Sequence, residues 1–182
     1  MENGIKKAHE FVIDAHGNQK RKYIEAPYTL HLEETAQLLH EITDGSVDSD
    51  MYIAALLHDV VEDTDVKLQD VGREFGKRVM DLVEELTNDE EAKKKEGKKP
   101  YLSKKLNAMS KDAFLIKLCD RFSNVSGLEN RAIPRDFVKW YIRETQYIID
   151  NLNRNLDDTE KFILNKIAKM ITYLKLDRNI NG

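Results

Sequence analysis

Apolar residues return along most of the chain at spacings of three and four, the period of one face of an α-helix. Ile5, Ala8, Val12 and Ala15 make a first stripe ending near His16 and Gly17. Asn18 to Pro27 carries no apolar period, holds the run Gln19-Lys20-Arg21-Lys22, and ends at a proline that disfavours helix before it, so it reads as a basic loop. Leu32, Ala36, Leu39 and Ile42 resume the pattern in a helix that His31 opens and Asp44-Gly45 closes. Asp48 or Ser49 caps a third helix, whose Met51, Ala54, Ala55 and Leu57 lead into His58-Asp59, with turn chemistry at Asp63-Thr64-Asp65. Two stripes, Val66 to Phe75 and Val79 to Leu86, predict helices broken near Gly76. Asp89 to Pro100 is almost wholly Asp, Glu, Lys and Gly, too polar to bury area, and is expected to be an exposed, mobile loop, a lid or a linker. Leu102, Leu106 and Met109 give a short helix, and Phe114, Leu115, Leu118, Phe122 and Val125 a strongly apolar one carrying Asp120 and Asn124. Pro134 suits a first helical residue ahead of Phe137, Tyr141, Ile148 and Leu152. Asp157 and Glu160 have capping-box spacing at the start of the last helix. The fold class is all-α, a helical bundle.

The 182 residues suit one domain, 1–182, with a single core. A net charge of −4 lacks the basic excess of a phosphate-backbone binder, which argues against nucleic acid as a partner. Cys119 is the one cysteine, so an intrachain disulfide is impossible and a reducing compartment fits. With no apolar run of signal-peptide or bilayer length, the expectation is a soluble, cytoplasmic protein without a membrane partner; its oligomeric state stays open.

Leu56 to Asp65 changes this picture, because it sets a histidine and four carboxylates among Leu56, Leu57, Val60 and Val61. If the third helix continues through it, His58 lies above Glu62 and Asp59 above Asp63. Charges in apolar surroundings must be paired, hydrogen-bonded or bound to metal. Ligands for a divalent ion must come from several elements, and the candidates are His58 and Asp59, His31 at the start of the second helix, and Asp120 in the most apolar helix. Such a nitrogen and oxygen set suits Mn, Fe or Zn better than Ca, and Cys119 has no companion for a thiolate site. A metal held this way would acidify bound water and neutralise phosphoryl charge, which points to phosphoester hydrolysis. Glu62 and Asp63, one turn beyond, are placed to orient water or move protons, and Arg21 and Lys22 to clamp phosphate. His9, His16 and His40 read as ordinary surface or structural residues.

With those residues in place, the chain resembles the HD hydrolase domain of the RelA/SpoT family, in particular its stand-alone small alarmone hydrolases, up to about Asn130. The resemblance rests on Gln19-Lys20-Arg21-Lys22 with Pro27-Tyr28-Thr29-Leu30-His31, on Leu56 to Thr64 (LLHDVVEDT), on Phe75-Gly76 through Leu86-Thr87, and on Ile116 to Asn124. It implies an HD-domain helical bundle in which His31, His58, Asp59 and Asp120 bind the metal, typically Mn²⁺. It further implies that Glu62 and Asp63 serve the water and the leaving group, and that Arg21, Lys22, Tyr28 and Asn124 line the nucleotide site. The implied reaction removes pyrophosphate from the 3′ position of ppGpp or pppGpp, a stringent-response alarmone, with no synthetase domain following. Alternatives are ppApp, NADPH or dNTPs as substrate, or a non-catalytic nucleotide-binding regulator. Cys119, Ser123 and Gly127 stand where the family usually has Ala, His and Thr, and these departures are expected near the base and ribose contacts, leaving the metal ligands untouched.

Overall fold

The computed structural model describes residues 2–180, and among them the regular structure is helical apart from one isolated antiparallel bridge between Lys20 and Pro27. Helix α1 (Glu2–His16) buries Ala8 and Val12. The basic loop follows as expected, closed on itself by the bridge. Helix α2 (Thr29–Ile42) buries His31, Leu32, Thr35, Ala36 and Leu39, and ends where Asp44 and Gly45 take positive φ of 49° and 73°. Asp48 caps α3 (Ser49–Leu56) by accepting from the backbone N–H groups of Asp50 and Met51, an interaction whose loss costs about 1 kcal/mol. Gly76, at φ 90°, separates α5 (Leu68–Phe75) from α6 (Lys77–Leu86), so the break falls where the stripes change.

The third helix does not run on through the motif. It stops at Leu56, His58 and Asp59 occupy a turn, and a single-turn helix α4 (Val60–Asp63) follows. His58 causes the interruption, because its Nδ1 bonds the Ala55 carbonyl at 2.7 Å and competes with the helix ladder.

The charged segment also differs from the expected loop. It forms α7 (Glu90–Glu96) and the first turn of α8 (Lys98–Ala108). Asp89 caps α7 through the N–H groups of Glu91 and Ala92, while Glu90 and Glu91 start the helix and Lys93, Lys94 and Lys95 end it, matching its dipole. Low apolar content rules out core burial, yet Glu and Lys are good helix formers.

Helix α9 (Lys111–Gly127) is the axis of the bundle, buried on nearly every side, and packs most extensively on α2 and on α11 (Asp158–Asp177). Pro134 is the residue before α10 (Arg135–Asp150), one position earlier than its expected first-turn place. Asp157 and Glu160 make the reciprocal capping box at the start of α11.

Candidate metal centre and active site

Three elements bring the candidate ligands together in the interior. His31 comes from the first turn of α2, His58 and Asp59 from the turn between α3 and α4, and Asp120 from the middle of α9. His31, His58 and Asp120 are 2%, 0% and 5% exposed, and each offers one ligand atom within 4.8 Å of the other two. His31 Nε2 lies 3.2 Å from Asp120 Oδ1 and 3.8 Å from Asp59 Oδ2. His58 Nε2 lies 3.1 Å from Asp59 Oδ2 and 3.7 Å from Asp120 Oδ1. Despite this crowding, both Nε2 atoms are buried without a hydrogen-bond partner among the described residues. Buried ring nitrogens aimed at carboxylates but not bonded to them fit a site built around a cation. The other ring nitrogens are engaged: His58 Nδ1 donates to the Ala55 carbonyl, and His31 Nδ1 meets Ser123 Oγ at 3.0 Å. The carbonyl, which can only accept, fixes the His58 tautomer that leaves the Nε2 lone pair for a metal.

The local field is strongly anionic. Burial opposes charge on His58, but Asp59 and Asp120 outweigh it and push the imidazole up to about 10. Burial would raise both carboxyls; His58 nevertheless holds Asp59 below the usual range, and Lys117 with the two histidines does the same for Asp120. The residues fit a divalent ion that binds neutral imidazole and ionised carboxylate.

Around this centre the structure places the other candidates unevenly. Tyr28 donates its hydroxyl to Asp59 Oδ2 at 2.6 Å, so it holds a carboxylate as well as lining a cavity. Asn124 donates to Asp120 Oδ1 at 2.5 Å and lines the same cavity, of about 140 Å³, with Arg21, Lys22 and Phe137. Arg21 Nη1 pairs with Glu34 Oε2 at 3.0 Å, and Lys22 Nζ sits over the rings of Tyr23 and Phe137 at 5.0 and 5.3 Å. Glu62 does not stand over His58; it turns away to Asn88, accepting from that residue's backbone N–H at 2.7 Å and from its side-chain amide. Asp63 faces an open cavity of about 820 Å³ that Glu62 also lines. Burial and the neighbouring Asp59 raise the Asp63 carboxyl above its ordinary value.

Two residues near the candidate ligands escape a reading of the sequence, and a third does more than the sequence suggests. His16, read as ordinary, is buried in the wall of the larger cavity, stacked on Tyr28 at 5.1 Å and bonded to Gln19 Oε1 at 2.7 Å. Lys117 is buried and pairs with Asp120 Oδ2 at 2.8 Å; a charge three residues before Asp120 in the most apolar helix was the available signal. Ser123 is bonded to His31, so the departure at this position reaches a metal-ligand candidate and is not confined to base and ribose contacts.

A family model described as an HD domain matches residues 8–157. The chain belongs to the HD domain family. Its HD dipeptide is His58-Asp59, at the interrupted end of α3. Among curated HD relatives, the guanosine-3′,5′-bis(diphosphate) 3′-pyrophosphohydrolase of Aquifex aeolicus is 40% identical over 68% of this chain, which spans 18% of that protein. The enzyme of the same name, MESH1, of Homo sapiens is 36% identical over 86% of this chain and 90% of its own length. A solved structure described as a metazoan ortholog of SpoT that hydrolyses ppGpp superposes with a TM-score of 0.81 at 28% identity, covering 95% of this chain and 96% of that one. Among the described residues no helix is long and apolar enough to cross a membrane.

Proposed function

We propose that the chain is a Mn²⁺-dependent alarmone hydrolase that removes pyrophosphate from the 3′ position of ppGpp or pppGpp, leaving GDP or GTP. The observation that carries this reading is the convergence of two buried, unbonded imidazole Nε2 atoms with Asp120, beside a cavity that His31 lines together with Arg21, Lys22 and Asn124. Relatives of this length that carry the same activity in their names support it. His31, His58, Asp59 and Asp120 would hold the metal, which when bound supplies an acidified water and charge neutralisation at the phosphoryl group.

The protein's own groups do the rest. Glu62, held in place by the backbone N–H and side-chain amide of Asn88, orients the attacking water. Asp63, whose carboxyl is held above its ordinary value, exchanges the proton with the leaving oxygen. Arg21 and Lys22 take phosphate charge at the cavity mouth, and Tyr28 and Asn124 fix Asp59 and Asp120 while facing the nucleotide. The chain works as one domain, 1–182, in the cytoplasm, on a small-molecule nucleotide of the stringent response.

Chelator-stripped protein, assayed with and without Mn²⁺ on ppGpp, ppApp, NADPH and dGTP with products separated by anion exchange, tests this reading. Mn²⁺-dependent pyrophosphate release from ppGpp is expected. Hydrolysis of ppApp, NADPH or dGTP alone would discard the guanosine alarmone, and binding without turnover on any of them would make the protein a regulator.

A further inference from the structure

Ser123 and Glu34 connect the metal end of the pocket to its substrate end. Glu34 lies on α2, one turn after His31, and although the side chain is half exposed its Oε2 turns inward. That oxygen accepts from Ser123 Oγ at 2.8 Å and from Arg21 Nη1 at 3.0 Å, while Ser123 Oγ lies 3.0 Å from His31 Nδ1. A hydroxyl has one proton to give, and an ionised carboxylate can only accept. Glu34 therefore accepts the hydrogen bond that the Ser123 hydroxyl donates, which leaves a Ser123 lone pair to receive Nδ1–H of His31. The His31 Nε2 lone pair then faces Asp120 and the cation position. Without Glu34 the Ser123 hydroxyl is free to turn and donate to Nδ1, which favours the tautomer with its proton on Nε2, the one that cannot bind a cation. At the outer end the same carboxylate holds Arg21, whose guanidinium lies where a Cβ on residue 127 would sit, 2.9 Å from Arg21 Nη2, and which borders the cavities on both sides of it.

We propose that Glu34 is a positioning residue that sets the His31 tautomer through Ser123 and the Arg21 conformation directly, so that one carboxylate prepares both metal and phosphate binding. The substrate half of this inference rests on the alarmone hydrolase reading; the metal half does not.

The test is a double-mutant cycle of Glu34→Ala and Ser123→Ala in the full chain, read by Mn²⁺ titration calorimetry on stripped protein and by the separate effects on KM and kcat for ppGpp. Each single change is expected to weaken Mn²⁺ binding about 10-fold, the lower end for removing a group that orients a ligand. The double variant should bind Mn²⁺ no more weakly than either single one, because both cut the same chain. Glu34→Ala should also raise KM several-fold through Arg21, an effect that Ser123→Ala lacks. Glu34→Gln keeps an accepting oxygen and should restore Mn²⁺ affinity to within about two-fold while KM stays high. Alanine at an exposed helix position favours the helix, so folding should survive; if it does not, Glu34→Lys, which puts a donor beside Ser123, must weaken Mn²⁺ binding. Unchanged Mn²⁺ affinity in the folded Glu34 variants, or losses that multiply in the double variant, overturn the proposal. If wild-type protein hydrolyses no alarmone, the proposed activity fails while the Mn²⁺ cycle still decides the relay.

Discussion

The two ends of the pocket are built in different ways. At the inner end each candidate ligand rises from a helix or its immediate terminus and is held by a second group: His58 by the Ala55 carbonyl, His31 by Ser123, Asp59 by Tyr28, Asp120 by Lys117 and Asn124. At the outer end Arg21 and Lys22 come from a loop closed by one bridge, and their restraints are Glu34 and two aromatic faces. The inner end is therefore held firmly enough to suit an ion, and under the proposed function the outer end would adjust to what is attached to the phosphate. If this contrast is right, inner-end changes should act on metal and rate, and outer-end changes on KM.

The largest effect is expected from Asp120→Ala. It removes a carboxylate that meets both imidazoles and also pairs with buried Lys117, which it strands, and breaking a buried pair costs about 3–5 kcal/mol. Mn²⁺ binding by calorimetry and turnover should both fall below detection. Full metal retention would show that the inner end is organised around another ligand. Replacing Glu62 by Gln together with Asp63 by Asn should instead lower kcat by about 10²–10⁴ while leaving Mn²⁺ and nucleotide affinity near wild type, because these groups line the wider cavity and in the proposed mechanism would act on protons. Unchanged turnover in that variant would remove them from the mechanism.

The metal-free inner end should also betray itself in pH dependence. His58 has a folded value near 10 against 6.5 for the free group, so its contribution to stability is complete below pH 6.5 and is lost as pH rises through about 10. Asp59 and Asp120, held low, contribute above their ordinary value of 3.8 and lose that contribution as pH falls through their depressed folded values. Stripped protein should thus melt at progressively lower temperature from about pH 7 to 9, whereas Mn²⁺, which binds neutral imidazole, should flatten this slope. Parallel slopes with and without Mn²⁺ would mean that His58 does not bind it.

How far the sequence reveals each end follows from the same contrast. Helical periodicity exposed every long helix, and the apolar setting of Asp120 and His58 marked the ligand candidates, because a charge there needs a partner whatever the partner is. The bend at His58 was hidden, since it depends on one side chain taking the Ala55 carbonyl from the helix ladder. The helicity of Glu90 to Glu96 was missed because low apolar content was read as disorder, although Asp89 and the ordered charges form a capped helix. Glu34 carries no local signal, and Ser123 shows only as a departure from the family pattern: their link is a contact between α2 and α9 across 89 residues of chain.

Gly127→Thr is the mildest way to sharpen the contrast. A Cβ at this position would meet Arg21 Nη2 at 2.9 Å, inside any ordinary contact, but the obstacle is the tip of a flexible side chain and no backbone atom has to move. Arg21 should therefore swing off Glu34 at little cost to folding. Losing one partly exposed ion pair is worth about 1 kcal/mol. KM for ppGpp should rise only a few-fold, with kcat and Mn²⁺ affinity within two-fold of wild type, and Arg21→Ala in the same background should add little, since the guanidinium has already left its place. A fall in kcat instead would show that Arg21 serves the reacting phosphoryl group, and that the boundary between the two ends lies closer to the metal than the loop.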